Sequence, residues 1–289
     1  MKAKAILLTV VILLGTEGLT QAGPPPDELG ITLDATWSSR FIWRGFDWFS
    51  TNDSAFLAGA DVDFWGTGFG ANVTWVKPLQ GGHENTELLI YNPYYGNAGW
   101  QGEPYQMNYR FGWQYFNAPD GPILGGTTCS PVNMDLDWQV AYGHFSWPNV
   151  CPYGFVPWYE YAAMWPDEGG TRRGYNRSYF RQKGGFFHTF GFNKDWTVPG
   201  FLPNTQEQVL HTSFAVVYND GAGPTPDTRR NNADHDFSHC VAGVSTDILL
   251  SDRHSLLTFS PGFYYQSSWE DSVNTSDEYW FTLSMKYKF

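Results

Sequence analysis

Along most of the chain apolar and polar residues alternate with a period of two, so the sequence predicts strands whose two faces meet different surroundings. The last stretch shows this most plainly. In Glu278 to Phe289, residues Tyr279, Phe281, Leu283, Met285, Tyr287 and Phe289 fall on one face, and Trp280, Thr282, Ser284, Lys286 and Lys288 on the other. A second run sets Tyr105, Met107, Tyr109, Phe111, Trp113 and Tyr115 against Gln106, Asn108, Arg110, Gly112 and Gln114. Six successive matches to period two leave little room for a helix. Twelve such runs follow one another, the others starting near Ile31, Phe56, Phe69, Glu87, Met134, Phe155, Gly185, Val209, Phe237 and Ser255. The sixth is read with Met134, Leu136, Trp138, Val140 and Tyr142 outward and Asp135, Asp137 and Gln139 inward.

Apolar residues at every second position over some ten residues suit a strand with lipid on one side and water on the other. The expected fold is therefore all-β: an antiparallel up-and-down transmembrane β-barrel of about 12 strands. The connections support it. The longest (Asn117 to Asn133, Pro166 to Lys183, Asn219 to Ala233) all fall at one end, and the shortest (Trp65 to Gly68, Leu250 to His254) at the other. Asp195 to Gln206 is long for the short-turn end, which keeps 10 and 14 strands as alternatives.

The chain resembles bacterial outer-membrane β-barrels of the porin-like kind. In those proteins the final strand with its terminal Phe is the sorting signal of the barrel-assembly machinery, and Tyr287 and Phe289 match it. The resemblance implies that machinery as a partner, together with outer-membrane lipid and lipopolysaccharide. The end of the first strand, Phe41-Ile42-Trp43-Arg44-Gly45, is similar to a feature of a family of uncharacterised outer-membrane proteins with an aromatic residue closely followed by Arg-Gly. Gly45 permits a bend, and Arg44 is expected at the barrel mouth or beneath an aromatic girdle.

Residues 1–22 read as a secretory signal: Lys2 and Lys4, an apolar run from Ala5 to Leu14, then Thr20-Gln21-Ala22 at the cleavage positions. Cleavage there leaves 289 − 22 = 267 residues, residues 23–289, as one barrel domain. No later run approaches the ~20 apolar residues of a membrane helix. Without Lys2, Lys4 and Glu17 the chain has 15 basic and 28 acidic residues, a balance that favours cations in a lumen and argues against nucleic acid as a partner. Cys129, Cys151 and Cys240 are an odd number for an oxidising compartment, so at least one is unpaired in a monomer.

Charged residues at inward positions are the candidate pore lining. They are Asp34, Arg40, Asp61, Asp63 and Arg110 in the first half and Asp135, Asp137, Glu160, Asp247 and Lys286 in the second, with Glu87 and Lys288 at strand ends. Arg110 and Glu160 lie mid-strand and are the expected constriction. Arg172, Arg173, Arg177 and Arg181 crowd one connection and suit phosphate or loop contacts. His144 and Ser146 share a face and are the only foothold for a hydrolase. Outer-membrane phospholipase A, a twelve-stranded barrel, has His-x-Ser, but its motif continues with Asn-Gly where this chain has Trp147-Pro148, and Trp158 stands where the orienting Asn would fall. Asp234, His235, Asp236, His239 and Cys240 are spaced too widely on a strand to share one metal ion, and no cofactor motif is present. The expected function is a passive channel for small polar or charged solutes and not an enzyme. The alternatives are a plugged structural or receptor barrel, or a phospholipase-type hydrolase.

Overall fold

The computed structural model describes residues 28–49, 54–80, 87–119, 137–166, 184–201, 206–222, 235–250, 257–269 and 276–289. Within them twelve long strands follow the period-two runs. They are β1 (Gly30–Ser38), β2 (Ala55–Asp63), β3 (Phe69–Pro78), β4 (Leu88–Gly99), β5 (Met107–Asn117) and β6 (Trp138–Ser146), then β7 (Phe155–Pro166), β8 (Gly185–Pro199), β9 (Glu207–Asp220), β10 (His235–Thr246), β11 (Leu257–Ser268) and β12 (Glu278–Lys288). Each pairs antiparallel with its neighbours in the chain, and β12 returns to β1, with Asp34 opposite Lys286 and Trp37 opposite Leu283. The sheet is a closed, twelve-stranded up-and-down barrel with no free edge, as the sequence leads one to expect. A two-residue strand, Ile248–Leu249, continues β10 beyond Asp247 and pairs with Phe259 and Thr258. Among the described residues no helix is long and apolar enough to cross a membrane.

The outer surface carries the apolar half of the alternation. On β12, Tyr279, Phe281, Leu283, Met285 and Tyr287 are exposed, and so are Phe69 and Val73 on β3, Phe111 and Trp113 on β5, and Phe190 and Phe192 on β8. Aromatic rings on adjacent strands meet there, as in Phe263 with Phe281 at 5.0 Å and Phe111 with Phe145 at 5.6 Å.

The inner surface is not uniformly polar. Near the end at which β1 starts, inward positions are Asp34, Asp61, Asn72, Asn108, Arg110 and His144; near the opposite end they are Leu57, Val76, Leu88, Ile90, Phe116, Trp138 and Phe187, all buried. This gradient corrects the reading of the sixth run. Trp138, Val140 and Tyr142 face inward and are buried, while Gln139 faces outward and accepts from Trp113 Nε1 at 3.2 Å. Apolarity marks the outward face only where the lumen is wet, and at Trp138 the lumen is dry.

Large inward side chains are accommodated by glycines on the paired strand. Tyr94 lies opposite Gly70, Tyr142 opposite Gly112, Trp158 opposite Gly191 and Tyr264 opposite Gly243. In each case a Cβ on the glycine would run into the ring. The ring takes the space the missing side chain leaves, which lets a narrow barrel hold four large aromatics flat against its wall. We expect Gly112→Val to lower stability by about 1–3 kcal/mol through overpacking against Tyr142. The urea midpoint in detergent micelles checks this, and Tyr142→Ala in the same background should recover part of the loss.

Candidate functional site in the lumen

Between β1 and β2 the chain turns into the barrel. Ile42–Trp43 and Phe46–Asp47 pair as a small hairpin, and the Trp48 N–H donates to the Phe41 carbonyl at 3.1 Å. Its two-residue turn is Arg44-Gly45, with φ of 47° and 85°. Both lie in the left-handed region, as a tight hairpin turn of this hand requires; glycine adopts it freely and arginine at a cost. Gly45 is also needed for space, since any Cβ there would meet the His239 imidazole.

The hairpin is an apolar plug with a charged tip. Phe41, Ile42, Trp43, Phe46 and Phe49 are each 3% exposed or less. Trp43 meets Phe116 of β5 edge-on at 4.7 Å, Trp48 stacks on the same ring at 5.6 Å, and Phe46 meets Phe187 of β8 at 5.9 Å. At the tip the Arg44 guanidinium donates to Glu160 Oε1 on β7, both side chains being buried. It also lies 5.0 Å from the centre of the Trp43 ring, a cation–π contact. The other carboxylate oxygen, Glu160 Oε2, is 3.7 Å from His144 Nδ1, and the His144 ring stacks on Trp158 at 5.3 Å. On the opposite wall Gln266 Nε2 donates to the Gly45 carbonyl at 3.0 Å, and buried His239 bonds Ser238 Oγ through Nδ1 at 2.8 Å. The turn is thus held by β7 on one side and by β10 and β11 on the other.

The half of the lumen toward the start of β1 is a polar network. The Tyr94 hydroxyl donates to Asp61 at 3.0 Å, and the Arg110 guanidinium lies 4.1 Å from the centre of the Tyr94 ring. Ser260 Oγ donates to Asp247 at 2.5 Å. His211 bridges Asp195 at 2.8 Å and Asp247 at 3.6 Å. Lys286 sits in the combined field of Asp34, Asp247 and Asp61.

No known family profile matches this chain, and no curated protein matches it. Among solved structures it is similar to the NanC porin, at 11% identity over 89% of this chain and 100% of that one, with a TM-score of 0.49. The KdgM porin is similar at 8% identity, 89% and 99% coverage and a TM-score of 0.48. An outer-membrane channel from Pseudomonas putida F1 is similar at 8% identity, 95% and 99% coverage and a TM-score of 0.49.

The expected lining residues are dispersed. Asp34, Asp61, Arg110, Glu160, Asp247 and Lys286 stand on the lumen side, but Arg110 stacks on Tyr94 while Glu160 is taken by Arg44. Arg110 and Glu160 both stand in register with His144, at one level of the lumen, each with its own partner. Asp63 accepts from the Gly66 N–H at 2.8 Å and closes the Trp65–Gly68 turn. Arg40 lies just beyond β1 and pairs with Glu278 at the rim. Asp137 is a correction. It sits on the Gln139 side of the strand, facing out, and accepts from Tyr115 at 2.8 Å, Asn117 at 3.1 Å and the Ala118 N–H at 2.8 Å. Glu87 is a second. It faces out with Lys77 at 2.8 Å and Trp75 at 3.0 Å, and those two donors hold its carboxyl below the usual carboxylate range. Asp135, Asp234, Cys129, Arg172, Arg173, Arg177 and Arg181 lie outside the described residues, as does the 1–22 segment.

His144 and Ser146 both face inward and are buried, with His144 engaged by Trp158 and Glu160. His235 pairs with Asp220, and among the described residues no three His, Cys, Asp or Glu side chains stand close enough to hold a metal ion. Phe289 donates its N–H to the Ile31 carbonyl at 2.9 Å and packs its ring on Tyr287 at 4.8 Å, closing the seam. Gln266 was not singled out from the sequence, and His239 was weighed only as a metal ligand; for a contact with the hairpin turn, the signal of both is an inward parity that they share with many residues.

Removing one partner of a buried ion pair leaves an uncompensated charge. Arg44→Met should therefore cost about 3–5 kcal/mol, and adding Glu160→Leu should recover most of it. Urea unfolding of the single and double variants measures both.

Proposed function

We propose that this protein is a bacterial outer-membrane barrel that acts as a gated channel for small polar or cationic solutes, with the Ile42–Asp47 hairpin as its gate. The observation that carries this reading is the buried Arg44–Glu160 pair, which ties an element of the chain's own first connection across the lumen to β7. The reading places lipid against the exposed band of Leu283, Phe281, Phe190 and Phe111. It takes the 1–22 segment as the export signal, the Tyr287 and Phe289 ending as the assembly signal, and the long connections, with Arg172, Arg173, Arg177 and Arg181, as the outer surface facing lipopolysaccharide. The passive channel expected from the sequence is read as closed in this state, because the half of the lumen around Phe116, Trp138 and Phe187 is packed with apolar side chains.

A lipid-facing charge is costly at mid-bilayer. Leu283→Arg should lower stability in lipid vesicles by about 2–4 kcal/mol. An unfolding midpoint in vesicles unchanged by the substitution would count against the membrane assignment.

Conductance tests the gate. In a planar bilayer the refolded wild-type protein should stay closed at low voltage. A variant with Ile42–Asp47 replaced by two glycines should show discrete steps. In a salt gradient the reversal potential of that variant should favour cations, because Asp34, Asp61, Glu160 and Asp247 outnumber Arg110 and Lys286 on the exposed wall. Steady wild-type conductance would remove the hairpin as a gate. A folded variant without conductance would leave the plugged structural or receptor barrel.

A further inference from the structure

We propose that the Glu160 carboxylate, with the stacked His144 and Trp158 rings beside it, is a binding subsite for guanidinium-bearing solutes, and that Arg44 occupies it in the closed barrel as an internal stand-in. This deepens the gated-channel reading and rests on it.

Glu160 is 2% exposed and points into the lumen, where Oε1 accepts from Arg44 and Oε2 faces His144 Nδ1 at 3.7 Å. Arg44 reaches it only because the hairpin is in place. When the hairpin withdraws, its guanidinium and the Trp43 ring leave together, while Glu160, His144 and Trp158 remain on the barrel wall. A carboxylate left there without a cation is disfavoured, so the open state gains most from a solute that restores the charge. The shape of the vacated place selects which cation. It has held a planar group with an N–H directed at one carboxylate oxygen, and the flat indole of Trp158 stacked on His144 is close by. A guanidinium matches this place, since its planar fork of N–H donors can meet both carboxylate oxygens beside those rings; an ammonium is a point charge without that fork. Because Arg44 and the solute compete for one carboxylate, binding and opening are linked, and each promotes the other.

The test titrates methylguanidinium into the refolded full-length barrel in detergent micelles by isothermal calorimetry. Heat-modifiable gel migration confirms that each variant is folded. Wild type should bind weakly, Arg44→Ala at least tenfold more tightly, and Arg44→Ala with Glu160→Gln no better than wild type. If Arg44→Ala fails to fold, the barrel with Ile42–Asp47 replaced by two glycines takes its place, with and without Glu160→Gln. The subsite is overturned if the folded Arg44→Ala or hairpin-free barrel binds no more tightly than wild type, or if Glu160→Gln leaves binding unchanged. Methylammonium bound as tightly as methylguanidinium would overturn the ligand class. Failure of the titration in a hairpin-free barrel that conducts removes the subsite and leaves the channel. Tight binding in a barrel that never conducts removes the channel instead.

Discussion

One buried ion pair fixes the depth of the plug. The apolar contacts of Trp43, Phe46 and Trp48 with Phe116 and Phe187 supply area but little direction, since aromatic faces tolerate sliding over one another. Arg44 and Glu160 are compatible with only one insertion of the hairpin, because both charges are buried and neither has water to fall back on. The other arrangements in the lumen follow from that depth. His239 can lie flat on Gly45 and Gln266 can reach its carbonyl only when the turn stands at that level. The left-handed Arg44 is an expense the structure carries to bring the guanidinium to the carboxylate.

The lumen is therefore two compartments of different physics. In one, inward residues behave as a protein core, with Leu57, Ile90, Phe116 and Trp138 buried among hairpin side chains. In the other, carboxylates, tyrosine hydroxyls and cations compensate one another, as Tyr94 does for Asp61 and Ser260 for Asp247. The boundary runs through β7, where Glu160 is followed two residues on by buried Ala162 and then Met164.

That division explains how much could be read in the sequence. Period two depends on backbone geometry alone, so the twelve strands and their closure were legible from Ile31 to Phe289. Assigning the two faces needs an assumption about what fills the barrel. On β5 and β12 the assumption of a wet interior succeeds, because Arg110 and Lys286 do face polar neighbours. On β6 it fails, since Trp138 and Val140 are apolar and face a packed interior with the hairpin, and Asp137, on the other face, points out. The site was half legible. Arg44-Gly45 stood out as a turn with a charge, but its partner lies 116 positions away, a separation that no local pattern encodes. Gln266, and the role of His239 beside Gly45, become visible only when the hairpin is seen inside.

The position of Glu160 also orders the assembly of the barrel in time. The hairpin follows β1 directly, whereas its charged partner lies on the seventh strand of twelve. More than half the ring must exist before the pair can form. The long-range contact thus forms late: until β7 is in place the tryptophans and phenylalanines of the hairpin have no lumen wall to pack on, and Arg44 has no carboxylate to meet.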